Sequence, residues 1–136
     1  MKTTLAGLAF LLSTCVLPAV HAAGSGFASP LIQNVSNAPN PFDSRRGGLE
    51  GQTQITYELA DASAVHVTVY DLFGFKVQEW NFSAGSAGGQ TGRNGFLWDG
   101  RNSAGTPVAK GGYLAYIEVV GPQGTAKTIR KIGVIH

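Results

Sequence analysis

Cysteine is almost absent. Cys15 is the only one in 136 residues, so no disulfide can close within the chain and the fold must rest on an apolar core. Charge is scarce too: Asp, Glu, Lys and Arg make up 13% of the chain against 43% hydrophobic residues, the reverse of a disordered composition. The formal net charge is +2. The densest basic stretch, Lys127, Arg130 and Lys131, falls on an expected strand. It is too small for a nucleic-acid footprint, and no nucleic-acid partner is expected. No apolar run reaches the roughly 20 residues of a membrane span. No loop is dense enough in Asp and Glu to offer calcium its about six to eight oxygens; Asp99 with Asp71 or Asp43 is the sparse alternative. The Gly-rich stretch 84–95 lacks the Gly-Lys-Ser/Thr and helix of a phosphate loop and reads as a flexible hairpin tip. His66 is the one histidine inside the domain apart from the terminal His136. Ser63 and Asp61 stand near it in a turn, with no motif for an exposed nucleophile. No enzyme, cofactor or metal is expected.

Glycine is abundant, at 19 residues, and sits between short apolar runs, which implies many tight turns. The N-terminus reads as an address. Lys2 gives a positive start, Leu5 to Leu12 is apolar, Pro18 breaks the run, and Val20 and Ala22 occupy the −3 and −1 positions of a small-residue cleavage site. Residues 1–22 are thus expected to be a secretory signal peptide, and the protein periplasmic or extracellular. Leu12-Ser13-Thr14-Cys15 offers a competing lipobox in which Cys15 would be acylated, but Thr14 is a poor fit before the cysteine.

Residues 23–37 read as a flexible leader and a first short strand around Leu31, Ile32 and Val35. Residues 38–136 carry alternating strands and no helical period. Ile55, Tyr57 and Leu59 share one face of a strand; Val65, Val67 and Val69 share one face of the next. Asp71 and Gly74 mark a hairpin turn. From Phe75 to Phe82 the pattern is irregular. A β-bulge between Val77 and Trp80 would bring Phe75, Val77, Trp80 and Phe82 all inward; without it Trp80 and Phe82 form an exposed aromatic pair. Phe96 and Trp98 face one way, and Asp99, Gly100 and Gly105 mark turns. Tyr113, Ala115, Ile117 and Val119 share one face of a long strand, and Gly121 to Gly124 turns into the last. About seven antiparallel strands result, which in two sheets make an immunoglobulin-like β-sandwich, all-β, with Tyr57, Val67, Val69, Phe96, Trp98, Tyr113 and Ile117 in its core.

Asn40-Pro41-Phe42, Ile55–Leu59, Val67-Thr68-Val69-Tyr70-Asp71-Leu72-Phe73-Gly74, Trp98-Asp99-Gly100 through Gly105, and Val108 through Tyr113 follow in an order that resembles the FlgD-type immunoglobulin-like domain, named after the flagellar hook-capping protein. The order is also similar to the C-terminal sorting domains of type IX secretion cargo. The resemblance runs from about residue 38 to 135. It implies a sandwich used as a spacer, adhesion or assembly module, and it brings no catalytic residues.

The outward face of the long strand is the candidate partner surface. If Tyr113 and Ile117 point inward, Leu114 and Tyr116 point out, and Tyr70 lies on a neighbouring strand. Trp80 joins the candidates where no bulge buries it. The expected partner is another envelope or extracellular protein. A glycan stacked on Trp80 with Tyr70 or Tyr116, and a type IX-like sorting or anchoring role, are the alternatives. Basic residues on the last strand read as guards of a sheet edge.

Overall fold

A computed structural model of the chain describes residues 30–136. Residues 1–22, expected to be a signal peptide, with Cys15 among them, and the expected leader through residue 29 lie outside the described residues. The strands are β1 Ile32–Ala38, β2 Phe42–Asp43, β3 Thr53–Leu59, β4 Ala64–Asp71, β5 Lys76–Phe82, β6 Gly92–Trp98, β7 Gly111–Gly121 and β8 Gly124–Ile135, with one short 3-10 turn at Gly48–Gly51. They form a three-stranded sheet, β1-β3-β6, packed against a five-stranded sheet, β2-β8-β7-β4-β5. This is the immunoglobulin-like sandwich that the sequence predicts, with one strand more than expected. The addition is β2, whose two residues pair parallel with Val134 and Ile135 of β8.

The sandwich follows from period-two patterning on facing strands. Ile55, Tyr57 and Leu59 of β3 and Phe96 and Trp98 of β6 meet Val65, Val67 and Val69 of β4. Tyr113, Ala115, Ile117 and Val119 of β7 and Ile132 and Val134 of β8 complete the layer. Each buried valine or isoleucine contributes roughly 1.5–3 kcal/mol. Two tyrosines enter this layer because each hydroxyl has a carbonyl to bond: Tyr57 Oη donates to Gly88 O at 2.7 Å, and Tyr113 Oη to Ala109 O at 2.6 Å.

The Asn40-Pro41-Phe42 segment closes one end of the sandwich. Pro41 has no N–H to offer β8, and the Asn40 side chain substitutes for backbone pairing. Its Oδ1 accepts the Gly133 N–H at 2.8 Å and its Nδ2 donates to Lys131 O at 3.0 Å. A side chain at position 133 would meet Pro41 Cβ at 3.0 Å, so a glycine there permits the approach. Phe42 then enters the core edge-on to Trp98, 5.8 Å between centroids, and Trp98 stands edge-on to Tyr113 at 5.4 Å.

Three local expectations need correction. Phe75 is not an inward strand residue; it lies in the turn before β5 and is exposed. The bulge exists, but its extra residue is Val77 itself: Val69 faces Gln78 and Tyr70 faces Lys76. The Val77 carbonyl accepts the Ser103 N–H at 3.0 Å, so the loop after β6 holds the bulge in place. Beyond it, Trp80 and Phe82 pair with Val67 and Val65 and turn inward against Phe96, at 4.8 and 5.6 Å. The Gly-rich stretch is a crossing between the two sheets, not a hairpin tip, and its middle is buried at Gly88 and Gly89. Gly89 O accepts the N–H of Ser63 and of Gly85, at 3.0 and 2.8 Å, and Gly88 O accepts the hydrogen bond from the Tyr57 hydroxyl. A Cβ at Gly88 would sit 2.4 Å from the Phe82 ring.

Two predictions follow from this packing. Gly100 has φ +73°, and a Cβ there would lie 2.9 Å from Ser44 Cβ and 3.3 Å from Phe42 Cζ. Gly100→Ala should therefore destabilise the fold by about 2 kcal/mol or more, read from chemical denaturation. Burial pushes the Tyr57 pKa from 10.0 up to about 12. The folded chain thus keeps a proton that the unfolded chain releases, so stability is fully present below pH 10 and declines as pH rises toward 12, by about 2 kcal/mol. Tyr57→Phe should flatten that alkaline decline.

Candidate functional site

The turn from β4 to β5 is built by one carboxylate. Asp71 Oδ1 accepts the N–H groups of Phe73 and Phe75, both at 2.9 Å. The Asp71 N–H donates to Phe75 O at 3.0 Å, and Gly74, at φ +88°, donates its N–H to Asp71 O at 3.1 Å. Backbone and carboxylate complete the loop between them. The side chains of Leu72, Phe73 and Phe75 take no part in it, and they are 68%, 88% and 70% exposed. Turns are ordinarily polar because their side chains face water; this one carries large apolar groups on a hydrogen-bonded backbone.

The tip continues into the outer face of the five-stranded sheet. Cross-strand pairing places Lys76, Tyr70, Leu114 and Lys131 in one row, and Glu79, Thr68, Tyr116 and Ile129 in the next. Tyr70, Leu114 and Tyr116 thus lie side by side on β4 and β7, and Ile129 on β8 extends the stripe, 55% exposed. Gly112 and Gly133 face each other across β7 and β8. Their missing side chains open a shallow groove of about 360 Å³ between Leu72, Leu114, Lys131 and Asn40. Charges frame the stripe. Lys76 pairs with Glu79 at 3.1 Å, and the Lys127 ammonium stands 5.9 Å from the Tyr116 ring centroid. Tyr116 is the main cause holding the Lys127 pKa above its ordinary value, and Glu118 adds to it.

Trp80 is not part of this face. The Val77 bulge turns it to the inner side, where it leans on Phe96 while keeping one side partly open. It therefore cannot form a platform with Tyr70 or Tyr116. His66 faces outward, with Nδ1 hydrogen-bonded to Asn81 Oδ1 and Nε2 to Thr68 Oγ1 at 2.9 Å. Asp43, Asp71 and Asp99 serve separate turns. Asp43 pairs with Arg45, which lowers its pKa, and Asp99 Oδ1 accepts the Arg101 N–H at 3.1 Å. No cluster of three or more metal-ligating side chains exists among the described residues. Gly74, Gly100 and Gly105 all adopt positive φ at their turns. The sequence pattern puts Leu72 and Phe73 in the turn and Phe75 on the following strand, and assigns none of them a binding role. The available signal was the apolar content of a segment already marked as a turn by Asp71 and Gly74.

The family model described as FlgD Ig-like domain matches residues 43–121. No curated protein sequence matches the chain. Among solved structures, dimeric latent PorU from Porphyromonas gingivalis is similar at 22% identity and a TM-score of 0.56, over 74% of this chain and 9% of PorU. FlgD from P. aeruginosa is similar at 22% identity and 0.53, over 74% of this chain and 69% of FlgD. PorZ from Porphyromonas gingivalis is similar at 23% identity and 0.50, over 83% of this chain and 13% of PorZ. The chain thus spans only a small part of PorU and PorZ. At these identities the likeness is one of fold.

Asp71→Ala should leave the sandwich folded but loosen the tip. The cost should be about 1–2 kcal/mol, with faster hydrogen exchange at the Phe73 and Phe75 amides.

Proposed function

The chain belongs to the FlgD Ig-like domain family, and from that premise we propose that it is an exported, non-catalytic module of the bacterial cell envelope that binds another protein through the β4–β5 tip and the sheet face beside it. The observation that carries this reading is the exposure of Leu72, Phe73 and Phe75 on a turn whose conformation does not need them. Large apolar groups kept in water without a structural role mark interaction sites. The layout also fits: an apolar centre continues through Leu72 and Leu114 to Tyr116 and Ile129, with a rim of Lys76, Glu79, Lys127 and Lys131.

Export is supported by the signal-peptide pattern of residues 1–22. A related sandwich occurs in PorZ, an essential bacterial surface component of a type-IX secretion system, which is a precedent for this fold in envelope machinery. The non-catalytic reading is supported by the engagement of both His66 ring nitrogens and by the commitment of Asp71 and Asp99 to turn amides.

Cross-linking in the native envelope tests the proposal. The wild-type chain should capture a defined partner, and the Leu72→Ser/Phe73→Ser/Phe75→Ser variant should lose at least tenfold of that capture with its melting temperature unchanged. Equal capture by the folded variant would defeat the reading.

A further inference from the structure

The sandwich has four sheet edges among the described residues, and three of them are disrupted or covered. β1 carries a register shift between Gln33 and Ser36, with Asn34 at φ +53°. β5 carries the Val77 bulge, whose carbonyl is bonded to Ser103, and the Lys76–Glu79 pair. β8 is closed at its end by β2 and Asn40, and Arg130, in register with buried Ala115, points inward along it. Bulges, inward charges and cover are the usual means of keeping an edge from pairing with another chain. β6 has none of these. It pairs with β3 at all seven positions without a shift and contains neither proline nor lysine; only its first residue, Gly92, takes positive φ, and among the described residues no strand pairs with its other side.

We propose that β6 is a strand-acceptor edge. An extended segment of a partner protein, with apolar side chains at alternate positions and carboxylates between them, adds to β6 as a fourth strand of the three-stranded sheet. Backbone pairing supplies the attachment, and two features of β6 select the occupant. On the inner side, Trp80 and Phe82 project from β5 onto Phe96 and remain partly open, which gives an incoming strand an apolar shoulder for alternate side chains. On the outer side, Arg93 is exposed and makes no ion pair among the described residues. Its cross-strand neighbour Glu58 accepts a hydrogen bond from Asn34 instead. Arg93 therefore favours a carboxylate on the added strand. This edge is distinct from the β4–β5 tip and its sheet face, so either surface can fail its test alone.

The probe is an N-acetylated, C-amidated peptide of the β3 sequence, Thr53–Leu59. It has the required alternation and would set its Glu58 opposite Arg93 in the register β3 itself uses. Titrated into the full chain, it should change the Trp80 emission saturably, since the chain's other tryptophan, Trp98, is buried. Hydrogen exchange should show new protection of the β6 amides with β3 unchanged. Arg93→Glu should weaken binding on the order of threefold to tenfold, and a peptide carrying Glu58→Lys should bind that variant better than it binds wild type. Leu97→Glu, which sets a carboxylate on the exposed side of β6 against those of the added strand, should weaken binding by about threefold or more without altering the melting temperature. The proposal is overturned by the absence of a saturable change, by binding indifferent to both variants, or by lost protection in β3, which would mean displacement of the resident strand. A dimer seen by sedimentation and dissolved by Leu97→Glu would assign the edge to a second copy and likewise overturn it.

Discussion

Trp98 is the side chain on which the two sheets converge. It stands at the end of β6 in the three-stranded sheet, edge-on to Phe42 of β2 and to Tyr113 of β7 in the other. Its indole N–H donates to Arg101 O at 2.9 Å. A buried tryptophan needs that acceptor, and the Asp99–Gly100 turn supplies it by curling the chain back over the ring. The same turn brings Gly100 against Phe42 and, through Val108 N–H to Gly100 O at 2.9 Å, directs the chain toward β7. The Phe42 side, in turn, depends on the Asn40 clamp on β8. One aromatic contact therefore links both ends of the chain's recognisable motifs.

Polar groups throughout the molecule divide the work of holding shape from the work of presenting surface. Asp71, Asp99 and Asn102 each bond backbone amides within their own turns, so loop conformation does not depend on burying loop side chains. That separation leaves Leu72, Phe73 and Phe75 free to face outward on a fixed backbone. Loops anchored by their own side chains on a packed sandwich are a common way for a rigid scaffold to carry binding residues. The long 83–91 crossing works the other way: it turns its backbone inward to satisfy Tyr57 and fills space beside Phe82.

Much of the fold was legible because strand periodicity is local. Ile55, Tyr57 and Leu59, or Val65, Val67 and Val69, declare a buried face without reference to any partner. Tyr70, Leu114 and Tyr116 were placed on the opposite face by the same alternation, and they do lie in adjacent rows. The irregular stretch around Val77 was legible only as an irregularity. Which residue is extra depends on Ser103, 26 positions further along the chain, and no local pattern encodes that contact. Trp80 was ambiguous for the same reason, and the bulge decides its face.

By itself, the sequence determined the class of fold, the identity of most core residues and the positions of the turns, because these rest on alternation and on the conformational demands of Asp and Gly at short range. Only the tertiary structure decided that the Gly-rich stretch crosses between sheets, that β2 adds in parallel to β8, and that Trp80 belongs inside. Each of these depends on which distant strand arrives alongside. That choice is made by the packing of the whole aromatic and aliphatic layer, with the hydrogen bonds of Asn40, Tyr57 and Trp98 reaching across it.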